Sequence, residues 1–357
     1  MFSLWLIAII SVFLVWLPFY SKNQMERVFA NFDGPNYLVI SKCWYNQDCI
    51  GKNFSLPLPL EYYPAHFPGY PALIGLFNLV LPGWWAILTA NLVGNILLIS
   101  AAYLLLKQLK IKSAFWLSLI SLFLPARIFV LRSVGAPETL FLGTVLFSIF
   151  FYRKKKYLPA GIFLAIAQTI KTPAIILFLA YFLETFLKNK FDFKKYLPKL
   201  PLLLGPLVTL PIFYLFKVQT GDFWAYFNSG DNRHLFFPPF QTFISSRSWL
   251  GDFWLEDIIY IYLIGGLAVL NLIKKYKQKV IALFPALFYL ATLFVVHRDI
   301  SRYSIPLYFF WLISFRKLLQ KKEFKIIFWL IVPAVYLYTI NFINYNIAPI
   351  ADWTPYR

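Results

Sequence analysis
The sequence predicts an all-α polytopic membrane protein, and three observations carry that reading. Of 357 residues, 60% are hydrophobic and only 14% charged, with a mean hydropathy of +0.65. Soluble domains carry roughly 25% charged residues, so lipid rather than water must solvate most of this chain. Several apolar runs approach or exceed the ~20 residues that span a bilayer as a helix. The charges are bunched between those runs, which excludes one large soluble core.

The elements follow from where the charges fall. Basic clusters recur at Lys107–Lys112, Arg153–Lys156, Lys188–Lys199, Lys274–Lys279 and Arg316–Lys325. The positive-inside rule assigns all five to the cytoplasm. The first run, 2–20, lacks a basic leader and a small-residue cleavage site, so it reads as a retained span with a cytoplasmic N-terminus. A long outer loop, 21–84, follows. Within it Gly69–Leu81 is about 13 residues, too short to cross comfortably, and Pro71 suits a first helical turn. It reads as a juxtamembrane helix.

Further spans fall at 85–106, 113–131, 137–152, 157–171, 173–188, 199–217, 255–273, 278–296, 302–316 and 326–345. This makes eleven in one integral-membrane unit, with a second long outer loop at 218–254 and the C-terminus outside. Two tight outer turns, L-R-S-V-G-A-P-E and I-K-T-P, contain prolines that stop helix continuation and expose end groups.

This topology sorts the chemistry by face. Of the 15 acids only Glu184, Asp192 and Glu323 fall on or near the basic side, and all three histidines fall on the other. The net charge of +19 does not imply nucleic acid, because clusters between spans serve orientation. The two cysteines, Cys43 and Cys49, lie in the first outer loop. They form a small disulfide if that loop faces an oxidising compartment, and two free thiols otherwise. There is no internal repeat, no inverted pair of broken helices and little ionisable chemistry at span midpoints, which disfavours a transporter or lipid-sugar flippase. A non-catalytic scaffold subunit is the other alternative.

Each candidate residue has a bland reading beside the functional one. Asp33, in N-F-D-G-P-N-Y, is either an Asx-turn former or a working carboxylate set among aromatics that suit sugar stacking. Lys171, Arg302, Arg298, His297 and Arg132 stand at outer span ends as candidates to bind a phosphate, where cations also snorkel to headgroups. Glu138 opens a helix and suits its dipole. Asp299, in H-R-D, is a rival base. The three histidines His66, His234 and His297 show no close metal-ligand spacing, so a metal-independent site is expected. The aromatic loop 218–254 reads as interfacial anchoring or as a lid.

The motifs then fall into a recognisable order. N-F-D-G-P-N-Y followed by H-F-P-G-Y-P resembles the first luminal loop of the PIG-V-like family, the GPI mannosyltransferases that add the second mannose, and its prokaryotic relatives. That family shows W-D-x-x-x-Y/F and then F-F-P-x-Y/F-P. R-S-V-G-A-P-E-T-L-F resembles its S-E-x-x-F stretch, A-I-A-Q-T-I-K-T-P its next span, and R-Y-S-I-P its late R-Y/F-x-x-P. Phe32, Pro137 and Lys171 depart from the usual Trp, Ser and Arg.

The resemblance implies a GT-C glycosyltransferase fold. It also implies inverting transfer of a sugar, mannose in that family, from a polyprenyl-phosphate donor to a glycolipid or glycan acceptor on the extracytoplasmic face. By position it makes Asp33 the general base and Tyr37, His66, Glu138, Lys171 and Arg302 substrate-binding residues. A base activates the acceptor hydroxyl, and cations receive the leaving phosphate. One carboxylate with no second acid paired nearby fits a single displacement.

Overall fold
The protein, described from a computed structural model, is defined at residues 1–230, 234–248, 255–350 and 352–356. Helix occupies every interval predicted to span, and among the described residues the only extended pairings are two isolated bridges. Five segments are long and apolar enough to cross a bilayer: Phe2–Ser21, Gly83–Gln108, Leu197–Thr220, Leu255–Tyr276 and Lys322–Tyr345. Others are shorter, such as Glu138–Arg153, Tyr157–Ile170 and Val280–Leu293. The juxtamembrane element is a helix, Gly69–Asn78.

Gly83–Gln108 is the central post, packing most extensively on Glu138–Arg153 and also on Phe2–Ser21 and Gly69–Asn78. Glycines set the closest approaches. A Cβ on Gly143 would lie 2.8 Å from the Leu98 nitrogen, and one on Gly161 would lie 2.1 Å from the Pro201 oxygen. Small residues at such crossings let backbones meet where lipid offers no hydrophobic drive.

One interval is not a straight helix. Within 113–131, Ala114–Phe123 and Ala126–Ser133 meet at a 73° bend around Leu124 and Pro125. A broken helix among apolar spans must have its freed backbone groups satisfied by protein. Arg132 does this. Fully buried, its guanidinium donates to the carbonyls of Leu122 (2.6 Å) and Ala8 (2.8 Å) and to Asn95 Oδ1 (3.1 Å). A cation at the carbonyl end of the half-helix also answers that helix's dipole. Arg132 was expected at the phosphate; it is instead consumed in holding the break. Asn91 and Asn95 serve the irregular backbone beyond, donating to the carbonyls of Leu131, Val134 and Ala136 and of Arg132 respectively.

The two ends of the bundle differ in kind. At the basic end, Glu184 takes Lys188 and the Val280 amide, and Lys199 donates to Thr185. At the opposite end the first loop folds as short helices, with Cys43 and Cys49 joined as a disulfide. The C-terminal residues return to strap this loop: Ala348 N donates to Ala30 O, Asn31 bridges Ile347, and Lys42 donates to Pro355 O. The second loop reaches the first through Tyr226 against Phe67. Its stretches 231–233 and 249–254 lie outside the described residues.

Replacing Arg132 by Met should cost roughly 2 kcal/mol or more, because buried carbonyls lose their donor. Thermal unfolding of the detergent-purified variant should show a clearly lowered midpoint. An unchanged midpoint would contradict the pinning role.

Candidate active site
Asp33 sits at the head of the helix Gly34–Cys43. Two local features put it there. Phe32 adopts φ 52°, the left-handed region that a side chain rarely takes without tertiary support. Gly34 then passes so close to the preceding turn that a Cβ would lie 2.0 Å from the Phe29 carbonyl oxygen. Asn31, fully buried, fixes the approach by donating to the carbonyls of Arg27 (2.7 Å) and Ile343 (3.1 Å). Asn31 opens the N-F-D-G-P-N-Y stretch but was given no role from sequence, and the tail it grips carried no motif.

Four charged side chains from distant parts of the chain meet at this turn. Arg302 donates from Nη2 to Asp33 Oδ2 and from Nε to Glu138 Oε1, both at 2.7 Å. Lys171 Nζ lies 2.6 Å from the same Glu138 oxygen. These bonds link sequence positions 33, 138, 171 and 302, and their formal charges cancel. Arg302 also lies over the Phe32 ring, 4.6 Å from its centroid. The expectation that no second acid stands near Asp33 is therefore overturned, since Glu138 shares its arginine. Glu138 is 4% exposed and Asp33 26%, so Asp33 is the carboxylate a ligand can reach.

His66 and Tyr37 complete the wall. His66 Nε2 stands 3.7 Å from Asp33 Oδ1, an electrostatic rather than hydrogen-bonding distance. Tyr37 packs edge-on against His66 and Tyr70. Two buried atoms here have no hydrogen-bond partner, Glu138 Oε2 and His66 Nδ1. Burial alone would raise the Asp33 pKa, but Arg302 and His66 more than offset it and hold the carboxyl well below the usual range. Burial, with Asp33 and Glu138 close by, pushes the Tyr37 phenol well above its ordinary value. It therefore stays a neutral donor.

The remaining candidates do not join this cluster. Asp299 pairs with Arg127 at 3.2 Å and accepts from Ser301, so the rival base is already engaged. His297 accepts the Asp299 amide at Nδ1, and its ring lies 4.9 Å from that of His234. Arg298 is exposed. Among the described residues no three of His, Cys, Asp and Glu gather as a ligand set. Sequence reasoning missed Arg127 altogether, because P-A-R-I-F belongs to no recognised motif.

No protein-family model matches the chain, and no curated protein matches it. Among solved structures it is similar to ArnT from Cupriavidus metallidurans bound to undecaprenyl phosphate. The TM-score is 0.60 at 12% identity, covering 87% of this chain and 60% of that one. The chain thus spans about three fifths of that protein's structure. At such identity the likeness speaks for the fold alone, and that fold agrees with the GT-C-type arrangement expected from the sequence.

Because its folded-state pKa lies below the free value of about 3.9, ionised Asp33 contributes stability above that pH. The contribution is lost as pH falls through the folded pKa. Difference infrared titration against Asp33→Asn should show the carboxylate band persisting below about pH 4, and Arg302→Gln should move protonation upward. A wild-type midpoint at or above the free value would contradict the pairing.

Proposed function
With the GT-C fold as premise, we propose that the protein is a polyprenyl-phosphate-sugar-dependent glycosyltransferase with Asp33 as general base. The observation that carries this is the meeting of Asp33, His66, Tyr37, Glu138, Lys171 and Arg302 at one loop-covered end of the bundle. A folding role alone does not require a partly open carboxylate walled by orphaned polar atoms.

The chemistry follows from the geometry. An acceptor hydroxyl donates to Asp33, which takes its proton as the oxygen attacks the anomeric carbon. The bond to the phosphate oxygen breaks on the opposite face, so configuration inverts. Glu138 is saturated by two cations and buried, which leaves it poorly placed as a nucleophile. Its free oxygen and the Tyr37 phenol are suited to sugar hydroxyls. A low pKa makes Asp33 a weak base that is fully ionised, and this suits late proton transfer from the acceptor hydroxyl as its oxygen attacks an oxocarbenium-like centre.

The donor class is supported by the undecaprenyl phosphate bound to the structurally similar ArnT. Mannose rests on the PIG-V-like motifs, and the acceptor is a glycolipid or glycan. The positive-inside rule puts the basic end in the cytoplasm, so the site works on the extracytoplasmic face with the N-terminus inside and the C-terminus outside. The disulfide fits an oxidising compartment there. Among the described residues the bent pair lends the flippase reading little support, because Arg132 at the bend is spent on backbone carbonyls.

Purified protein given radiolabelled polyprenyl-phosphate mannose and candidate acceptors should lose turnover by roughly 10²–10⁴-fold in Asp33→Asn, with donor binding retained. Full activity in that variant would remove Asp33 from the base role. Exhaustive EDTA treatment should leave wild-type turnover unchanged, and loss restored by a divalent ion would contradict a metal-independent mechanism.

A further inference from the structure
Sugar transfer at this site leaves one charge unaccounted for. In a single displacement the acceptor oxygen enters and the phosphate oxygen departs on opposite faces of the anomeric carbon. In inverting glycoside chemistry the groups serving those two faces stand roughly 6.5–9.5 Å apart. Arg302 is bonded to Asp33 at 2.7 Å and, with Lys171, to one Glu138 oxygen. Both cations therefore stand with the base, and their charges are cancelled by the two carboxylates. The phosphate leaves as a monoester with added negative charge and needs a cation on its own face.

Arg127 stands near this cluster without being bonded to either of its carboxylates. It lies just past the bend, in the first turn of Ala126–Ser133. Its guanidinium addresses the Phe32 ring at 6.0 Å, the same ring that Arg302 covers at 4.6 Å. Phe32 thus relates the two arginines, one holding the base and the other lying further off against Phe342 at 4.4 Å. Arg127 is also loosely held. Nε donates to Ser301 Oγ and Nη2 pairs with Asp299, each at 3.2 Å, while Nη1 is buried without a hydrogen-bond partner. Charge-assisted bonds ordinarily settle nearer 2.7–2.9 Å.

We infer that Arg127 receives the lipid phosphate, exchanging Asp299 for it, while Arg302 remains with Asp33. The assignment rests on the sugar-transfer reading. The proton of the acceptor goes to the Asp33 carboxylate, and the carbon–oxygen bond to the acceptor forms. The bond to phosphate breaks with its electron pair on the phosphate oxygen, opposite Arg127. Asp299, released, keeps the Ser301 hydroxyl, which donates to it at 2.9 Å.

The test is binding of undecaprenyl phosphate to the full chain in nanodiscs, with undecaprenol as the uncharged control. Wild type should prefer the phosphate. Arg127→Gln should weaken that binding roughly 10–100-fold, more than Arg302→Gln weakens it. Asp299→Asn removes the competing carboxylate and should tighten binding, so it carries the test even if Arg127→Gln does not fold. Unchanged affinity in Arg127→Gln, a loss carried by Arg302→Gln instead, or weaker binding in Asp299→Asn would overturn the assignment. A wild type that binds the phosphate no better than the alcohol would sink the sugar-transfer reading, and this assignment with it.

Discussion
The guanidinium of Arg302 joins three distant parts of the chain. It ties the first loop to the helix Glu138–Arg153 through two carboxylates at 2.7 Å, and Lys171 ties in a further helix end through Glu138. Two acids this close would repel, and the cations between them make ionisation of both compatible with burial. Removing one partner of such a network leaves uncompensated buried charge, which costs more than the pair itself contributes. The same bonds hold Asp33 ionised and fix where it points, so folding and chemistry share one constraint.

A second constraint comes from the low-polarity surroundings. Irregular backbone among apolar helices needs protein partners for every carbonyl and amide. The bend at Leu124 and Pro125 and the turn through Val134 and Ala136 are such places. Arg132, Asn91 and Asn95 are the residues that satisfy them. Asn31 does the same where the tail meets the first loop. Polar residues in these segments thus include those spent on backbone and, beside the Asp33 turn, Glu138 and His66, each with one atom left unpartnered.

Much of this was legible in the sequence, and the limits have physical reasons. Apolar runs and charge placement show the helices because the bilayer imposes length and composition on them. Asp33, Glu138, Lys171 and Arg302 could be read as candidates because charge placement put each on the outer face and each falls in a stretch that resembles the PIG-V-like motifs. Their mutual pairing could not, since it depends on contacts up to 269 residues apart. Arg132 was misread because snorkelling, phosphate binding and backbone pinning all place a cation near a helix end. Arg127 was invisible for the converse reason: its place beside Phe32 arises only from the bend. The Asn31 clamp depends on residues more than 300 positions away.

The central claim is that base and phosphate are served by different arginines on opposite faces of the sugar. A structure of the protein in nanodiscs with a non-hydrolysable polyprenyl-phosphate sugar tests this most directly. The account predicts the phosphate on Arg127, the anomeric carbon between it and Asp33, and Arg302 still bonded to both carboxylates. A phosphate seated on Arg302 and Lys171, with Asp33 displaced from Arg302 or on the same face as the leaving group, would contradict it.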